Sequence, residues 1–282
     1  MHALTRLCSA INQRIKIMKN KYLNIILGGG GLLASLLLGA GNVQAGIANT
    51  PHNLGATGTG ANFYSGTAEI CVFCHTPHGG DNSASVPLWN KTLAAPASYT
   101  TYDSLGTSSL DGATAPVGSV SIACLSCHDG TQAMDAVLNA PGSGAVVTSY
   151  TNGTWTGSSS PQGIALIGQD LSNDHPIGIQ YGGGGITATA PAAATNDTDF
   201  KATENATING NTIWWVDTEL TPNGTRQKTD MQLYTRSVAA IDGGADQPFV
   251  ECASCHDPHT ENTTFLRVSN AGSAVCLACH TK

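Results

Sequence analysis

The sequence predicts a mostly irregular chain, with short α-helices at four CxxCH motifs and a few short β-strands, rather than a domain built on a conventional core. Three observations carry that fold class. Of the 282 residues 41% are hydrophobic but only 6% aromatic, and 33 are glycine, so the large side chains that normally fill a core are scarce. Residues 140 to 215 are rich in Gly, Ser, Thr and Ala and read as loop and short strand. The pattern Cys-x-x-Cys-His, which winds into a helical turn, occurs four times. A source of buried apolar surface other than side chains is therefore expected.

The chain opens on a processing segment. After Arg14, Lys16, Lys19 and Lys21 comes the glycine-broken apolar run LNIILGGGGLLASLLLGAG and then VQA, ending at Ala45, which reads as a signal peptide over residues 1–45. Met18 is a better start than Met1, which places residues 1–17 upstream of the true start. The competing reading is an uncleaved transmembrane anchor, against which stand the short length, the glycines and the adjoining cleavage pattern. Cleavage predicts a secreted protein with no membrane span after processing. It leaves 7 Lys/Arg against 19 Asp/Glu, a formal charge of −12, so nucleic acid is an unsuitable partner. It also removes Cys8, the odd cysteine, and leaves eight.

Those eight form CVFCH (Cys71, Cys74, His75), CLSCH (Cys124, Cys127, His128), CASCH (Cys252, Cys255, His256) and CLACH (Cys276, Cys279, His280). Two thiols at this spacing add to the two vinyl groups of one haem, and the next histidine is then held against the iron. Disulfides, thioredoxin-like pairs and four-cysteine zinc sites are the alternatives. None requires a histidine directly after every pair. The cofactor set is four covalent haem c groups, and residues 46–282 form one tetrahaem domain with a Gly/Ser/Thr/Ala-rich insert at about 140–245.

Four haems with two axial positions each need eight ligands. Beyond the four motif histidines the mature chain holds four more, His52, His78, His175 and His259, and the count closes. Methionine is the rival ligand and would raise the potential, but only Met134 and Met231 survive processing. Bis-histidine haems are therefore expected. In CHTPH (75–78) and CHDPH (256–259) the second histidine follows three residues behind the first. Three residues span at most about 11 Å, too little to wrap round the ring to its other face. His78 and His259 must each serve a haem other than that of their own motif, so each segment joins two haems. Pro77 and Pro258 stiffen the connection. The order of one upstream histidine, CxxCHxPH and then CxxCH occurs twice, from His52 to His128 and from His175 to His280, as a weak internal repeat.

Elsewhere TIWWVDTE (212–219) and DMQLYT (230–235) flank Pro222-Asn223-Gly224 and predict a hairpin in which Trp214 and Trp215 pack. Asp217, Glu219, Asn223 and Asp230 have a loose likeness to calcium ligands, but their spacing favours a solvated acidic turn. Asn152, Asn205 and Asn223 begin glycosylation tripeptides, usable only in a host with that machinery.

The stretches CVFCHTPHGG, PLWN (87–90), CLSCHDGT, NDHPIG, FVECASCHDPH and VCLACH resemble the OmcE-type tetrahaem cytochromes, which polymerise into extracellular filaments. The likeness spreads over most of residues 50–282 and is weakest over 140–215. It implies little regular secondary structure, a haem-organised fold with closely packed haems, and one axial histidine donated by the neighbouring subunit. Combined with the three-residue limit, it suggests His52 for the first haem, His175 for the second, His259 for the fourth, and His78 for the third haem of the next subunit. With both axial positions filled, the expected function is outer-sphere electron transfer and not enzymatic turnover. Partners would be identical subunits in a head-to-tail filament, other redox proteins and extracellular acceptors. A discrete periplasmic shuttle and, from another class, a multihaem reductase with an open iron are the alternatives.

Overall fold

The structure is a computed structural model that describes residues 46–140, 153–237 and 244–282. The expected signal peptide, the glycosylation tripeptide at Asn152 and part of the Gly/Ser/Thr/Ala-rich insert lie outside the described residues. No helix among the described residues is long and apolar enough to cross a membrane.

Regular structure is sparse, as the composition predicts. Three short helices, α1 (Ser121–His128), α2 (Cys252–Cys255) and α3 (Ala274–Leu277), cover all or part of the second, third and fourth CxxCH motifs. The first motif forms a 3-10 turn over Cys71–Phe73 instead of the expected α-helix. A two-residue strand β1 (Phe63–Tyr64) pairs with β2 (Trp155–Thr156).

The largest departure from expectation lies in the insert. Instead of loop and isolated strand, it builds most of a five-stranded antiparallel sheet from β3 (Ile179–Gln180), β4 (Glu204–Ile208), β5 (Asn211–Val216), β6 (Met231–Arg236) and β7 (Gln247–Val250), in the order β3-β7-β6-β5-β4. The predicted hairpin is its β5–β6 pair, with Val216 opposite Met231. The β4–β5 turn is Asn209-Gly210, both at positive φ (50° and 80°). Those angles match the right-handed twist of the flanking strands, and Asn-Gly adopts them with little strain. Trp214 and Trp215 are buried in this sheet, as expected. The acidic turn binds its own backbone: Asp217 accepts the Glu219 and Asn223 N–H groups, and Asp230 accepts those of Thr218 and Gln227.

Two buried clusters each hold cysteines from two consecutive motifs. Leu54, Tyr64, Val72, Phe73 and Met134 pack against Cys74 and Cys127. Tyr181, Trp214, Met231, Leu233, Val250 and Ala278 pack against Cys255 and Cys279. A buried polar bridge joins α1 to α2: Ser121 donates its hydroxyl to Glu251 (2.5 Å) and accepts the Cys252 N–H (2.9 Å). Arg236 on β6 reaches the other Glu251 oxygen at 2.6 Å and the Pro116 carbonyl at 2.8 Å. Glu251 also caps α2 in a reciprocal box with Ser254. The sheet thus fixes the third motif directly, because β7 runs into α2 through Glu251.

Arg236→Met is expected to cost about 3–5 kcal/mol of unfolding free energy at pH 7, the range for stranding one member of a buried ion pair. The loss should be smaller at pH 5. Burial already raises the Glu251 carboxyl above its ordinary range, and without the guanidinium it takes up a proton more readily as pH falls, shedding the uncompensated charge. Denaturant unfolding at the two pH values checks this; equal losses would show that the charge is not responsible.

Candidate functional site

Each CxxCH motif is held by backbone hydrogen bonds from another segment, and in three of the four the histidine ring is fixed as well. After the first motif, Asn90 N–H binds the Cys74 carbonyl (2.9 Å), Thr76 N–H binds that of Leu88 (2.9 Å), and the His75 Nδ1–H donates to the Pro87 carbonyl at 2.7 Å. The third motif repeats this construction residue for residue. Arg267 N–H binds the Cys255 carbonyl (2.8 Å), Asp257 N–H binds that of Phe265 (2.8 Å), and His256 Nδ1–H donates to the Thr264 carbonyl at 2.8 Å. Leu88 and Phe265, the equivalent turning residues, both have positive φ (53° and 59°). The two CHxPH segments are therefore the same structural unit, which supports the internal repeat.

The second and fourth motifs use segments of the insert. His128 Nδ1–H donates to the Ala165 carbonyl at 2.6 Å, and the Ile167 N–H returns to the His128 carbonyl (2.8 Å). After the fourth motif, Lys201 N–H binds the Cys279 carbonyl (2.8 Å), and the Phe200 ring lies 4.4 Å from that of His280. Donation from Nδ1 at three of the four motif histidines selects one tautomer. It leaves the Nε2 lone pair free, which is what an axial ligand requires.

The remaining histidines meet these rings across the fold. His52 faces His128 at 6.1 Å between ring centroids, and His259 faces His75 at 6.4 Å. With metal–imidazole bonds of about 2.0 Å and about 1.1 Å more to each ring centre, two imidazoles on opposite sides of one iron would sit about 6.2 Å apart. Both pairs have that spacing. His175 and His280 line one cleft of about 250 Å³ together with Tyr102, Ile179, Phe200 and Val250. His78 meets no ring among the described residues: its side chain is exposed, while its carbonyl is held by Thr76 and Asn139.

These placements differ from the pairing suggested by the resemblance. His52 lies against His128 of the second motif, with His256 and His259 also acting on it; His259 lies by His75 of the first, and His175 shares a cleft with His280 of the fourth. Each of these contacts joins residues more than 75 positions apart. Phe265, stacked on His52 at 4.1 Å, is part of the reason: the third motif's clasp carries His52 toward the second motif.

The electrostatics suit neutral ligands. Burial, and then the facing His128, lowers His52 to about 4, which keeps that imidazole uncharged at neutral pH. Its Nδ1 is buried without a hydrogen-bond partner. His259 Nδ1 lies 3.2 Å from Asp257, and the hydrogen bond between them holds that carboxyl well below its ordinary range. Burial pushes the Cys74 and Cys279 thiols up to about 12 and raises Cys127 and Cys255 as well. Cys124 rises because it hydrogen-bonds Cys252 and is buried, and Cys252 falls as the partner in that bond. Five of the eight thiols are thus raised, the opposite of what a nucleophilic or thioredoxin-like cysteine needs. All eight are unbridged, and no group of three or more His, Cys, Asp or Glu converges to hold a metal ion among the described residues. The donor chemistry of paired thiols, an adjacent Nδ1-anchored histidine and a facing second histidine fits covalent haem.

Sequence reasoning did not find the carbonyls of Pro87, Ala165 and Thr264, the Ser121–Glu251–Arg236 bridge or the buried Lys91. Backbone acceptors leave no residue-type signal. PLWN is the exception, since Pro87 supplies the acceptor, Trp89 donates to Ser126 at 3.1 Å and Asn90 ties Val72 to Asn139.

Among curated proteins none matches the chain. Residues 247–282 match the family described as the doubled CXXCH motif, which covers the third and fourth motifs. The match supports, in broad terms, a multihaem c-type cytochrome with covalently attached haem, and with it an electron carrier.

Proposed function

We propose that the chain transfers electrons through four bis-histidine c-type haems and is the repeating subunit of an extracellular filament. The observation that carries this reading is the spacing of the two imidazole pairs, 6.1 Å for His52 with His128 and 6.4 Å for His75 with His259. When bound, haem iron supplies reversible one-electron chemistry. Imidazoles on both faces close the iron to substrate, which leaves outer-sphere transfer and disfavours a reductase. The bound rings also supply the apolar mass that the side chains lack, so the fold is organised around them.

The head-to-tail contact follows from the symmetry of the pairing. His52 serves the second motif and His175 the fourth, each the closing motif of its own half-repeat. His259 of the second half serves the first motif of the first half. The matching contact, His78 of the first half on the third motif of the second, is left for a neighbouring chain: His78 is exposed and meets no ring among the described residues. Supplied between chains, it gives every half-repeat the same relation to its neighbour. Such a heterologous contact extends without closing. A discrete periplasmic shuttle would need His78 to fold back on His256, against the way Asn139 and Thr76 hold its backbone.

His259→Gly is expected to open one iron of four, giving a high-spin signal that accounts for a quarter of the haem and disappears on adding imidazole. A spectrum that stays wholly low-spin removes His259 from the ligand set. Electron microscopy of material sheared from producing cells should show unbranched filaments, and a density map should place His78 on the iron held by His256 of the adjoining subunit. His78→Ala should abolish the filaments while the other three irons remain low-spin. Filaments assembled by that variant, with the third iron still histidine-ligated, would falsify the scheme.

A further inference from the structure

We propose that Lys91 fixes a positive charge beside the first and second haem-attachment sites and makes the groups held there more easily reduced. This rests on the tetrahaem reading above. Lys91 is fully buried, at 0% exposure. Its Nζ donates to three backbone carbonyls, of Ala133 (3.2 Å), Met134 (3.0 Å) and Ala136 (2.9 Å). An ammonium has three N–H donors and no acceptor, so three carbonyls satisfy it completely. A neutral amine would turn its lone pair on one of those oxygens. The cage therefore selects the charged form. No carboxylate among the described residues pairs with it.

The position of this charge is set by the first clasp. Asn90, the preceding residue, binds the Cys74 carbonyl, and Met134, whose carbonyl Lys91 holds, packs against both Cys74 and Cys127. Lys91 acts on both thiols, favouring negative charge at each. At the second site Asp129, buried beside His128, opposes Lys91 only in part, since Lys91 has the larger effect on Cys127. At the third, Arg236 pairs with Glu251, and Arg267, held by the Ala253 and Lys228 carbonyls, acts on Cys255. At the fourth, Lys201 acts on Cys279 from a half-buried position where water screens it.

Reduction at a site adds one electron to ferric iron, taken from a neighbouring ferrous iron of the same array, with no bond made or broken and no proton required. The site's net charge falls by one. Lys91 stabilises the lower charge, more strongly in a buried setting than in water, and so biases electrons toward the first half of the subunit.

The test is an optically monitored redox titration of the purified full-length protein, with haem stoichiometry and spin state read on the same sample. In Lys91→Met two of the four steps of the titration should move to more negative values, and in Lys91→Arg they should stay. Unmoved steps in the methionine variant, or the same shift in both variants, overturn the proposal. Should neither variant mature, Lys91→Gln decides, because its amide keeps N–H donors for the carbonyls without the charge: the same negative shift is expected, and its absence overturns the proposal. Fewer than four haems, or a high-spin wild type, would instead bring down the tetrahaem reading.

Discussion

Facing pairs of imidazoles about 6 Å apart are the constraint on which the rest of this structure depends. A histidine on the short CHxPH link cannot reach round to the far side of the group that its own motif serves, so a facing partner must come from another part of the chain or from another chain. His52 crosses to His128 and His259 crosses back to His75. The second crossing joins the end of the chain to its beginning. Around these pairs the long-range order comes from the backbone clasps, the buried clusters and the five-stranded sheet.

Those pairings need rings held in fixed orientation, and the chain does this with backbone. The clasps at 88–90 and 265–267 are short antiparallel contacts whose carbonyls fix the tautomer of the adjoining histidine. Backbone acceptors are well suited to this task. They cannot titrate, they are anchored at both ends, and they fix the rotation of the motif histidines with Nδ1 as the donor nitrogen. The price is a strained residue at each turn, Leu88 and Phe265 at positive φ, tolerated because the neighbouring hydrogen bonds over-determine the backbone.

Buried charge is the second organising element. Glu251 is neutralised by Arg236 and by the Ser121 hydroxyl, and the trio doubles as the joint between α1, α2 and the sheet. Lys91 is handled differently, by three carbonyls that satisfy its protons without cancelling its charge. A protein that needed only rigidity could have used an apolar residue there. Keeping an uncompensated cation beside Cys74 and Cys127 instead shapes the local potential.

Much was legible in the sequence alone. The four CxxCH motifs, the closing count of eight histidines and the three-residue limit on CHxPH are local or arithmetical, and they determine the chemistry of attachment and which pairings are forbidden. The poverty of large apolar residues likewise announced a loosely structured chain. Some of the fold was written there and overlooked: Asn209-Gly210 between two β-rich runs is a strong hairpin signal, and it seeds the sheet within the insert. The pairing of His52 with His128 and of His259 with His75 was not legible, because it depends on which loops the clasps bring together over more than 75 residues, a property of the closed chain. The same holds for Lys91. Its sequence neighbours show a lysine after an asparagine, and only the folded loop at 133–136 surrounds it with carbonyls and turns an ordinary surface residue type into a buried charge.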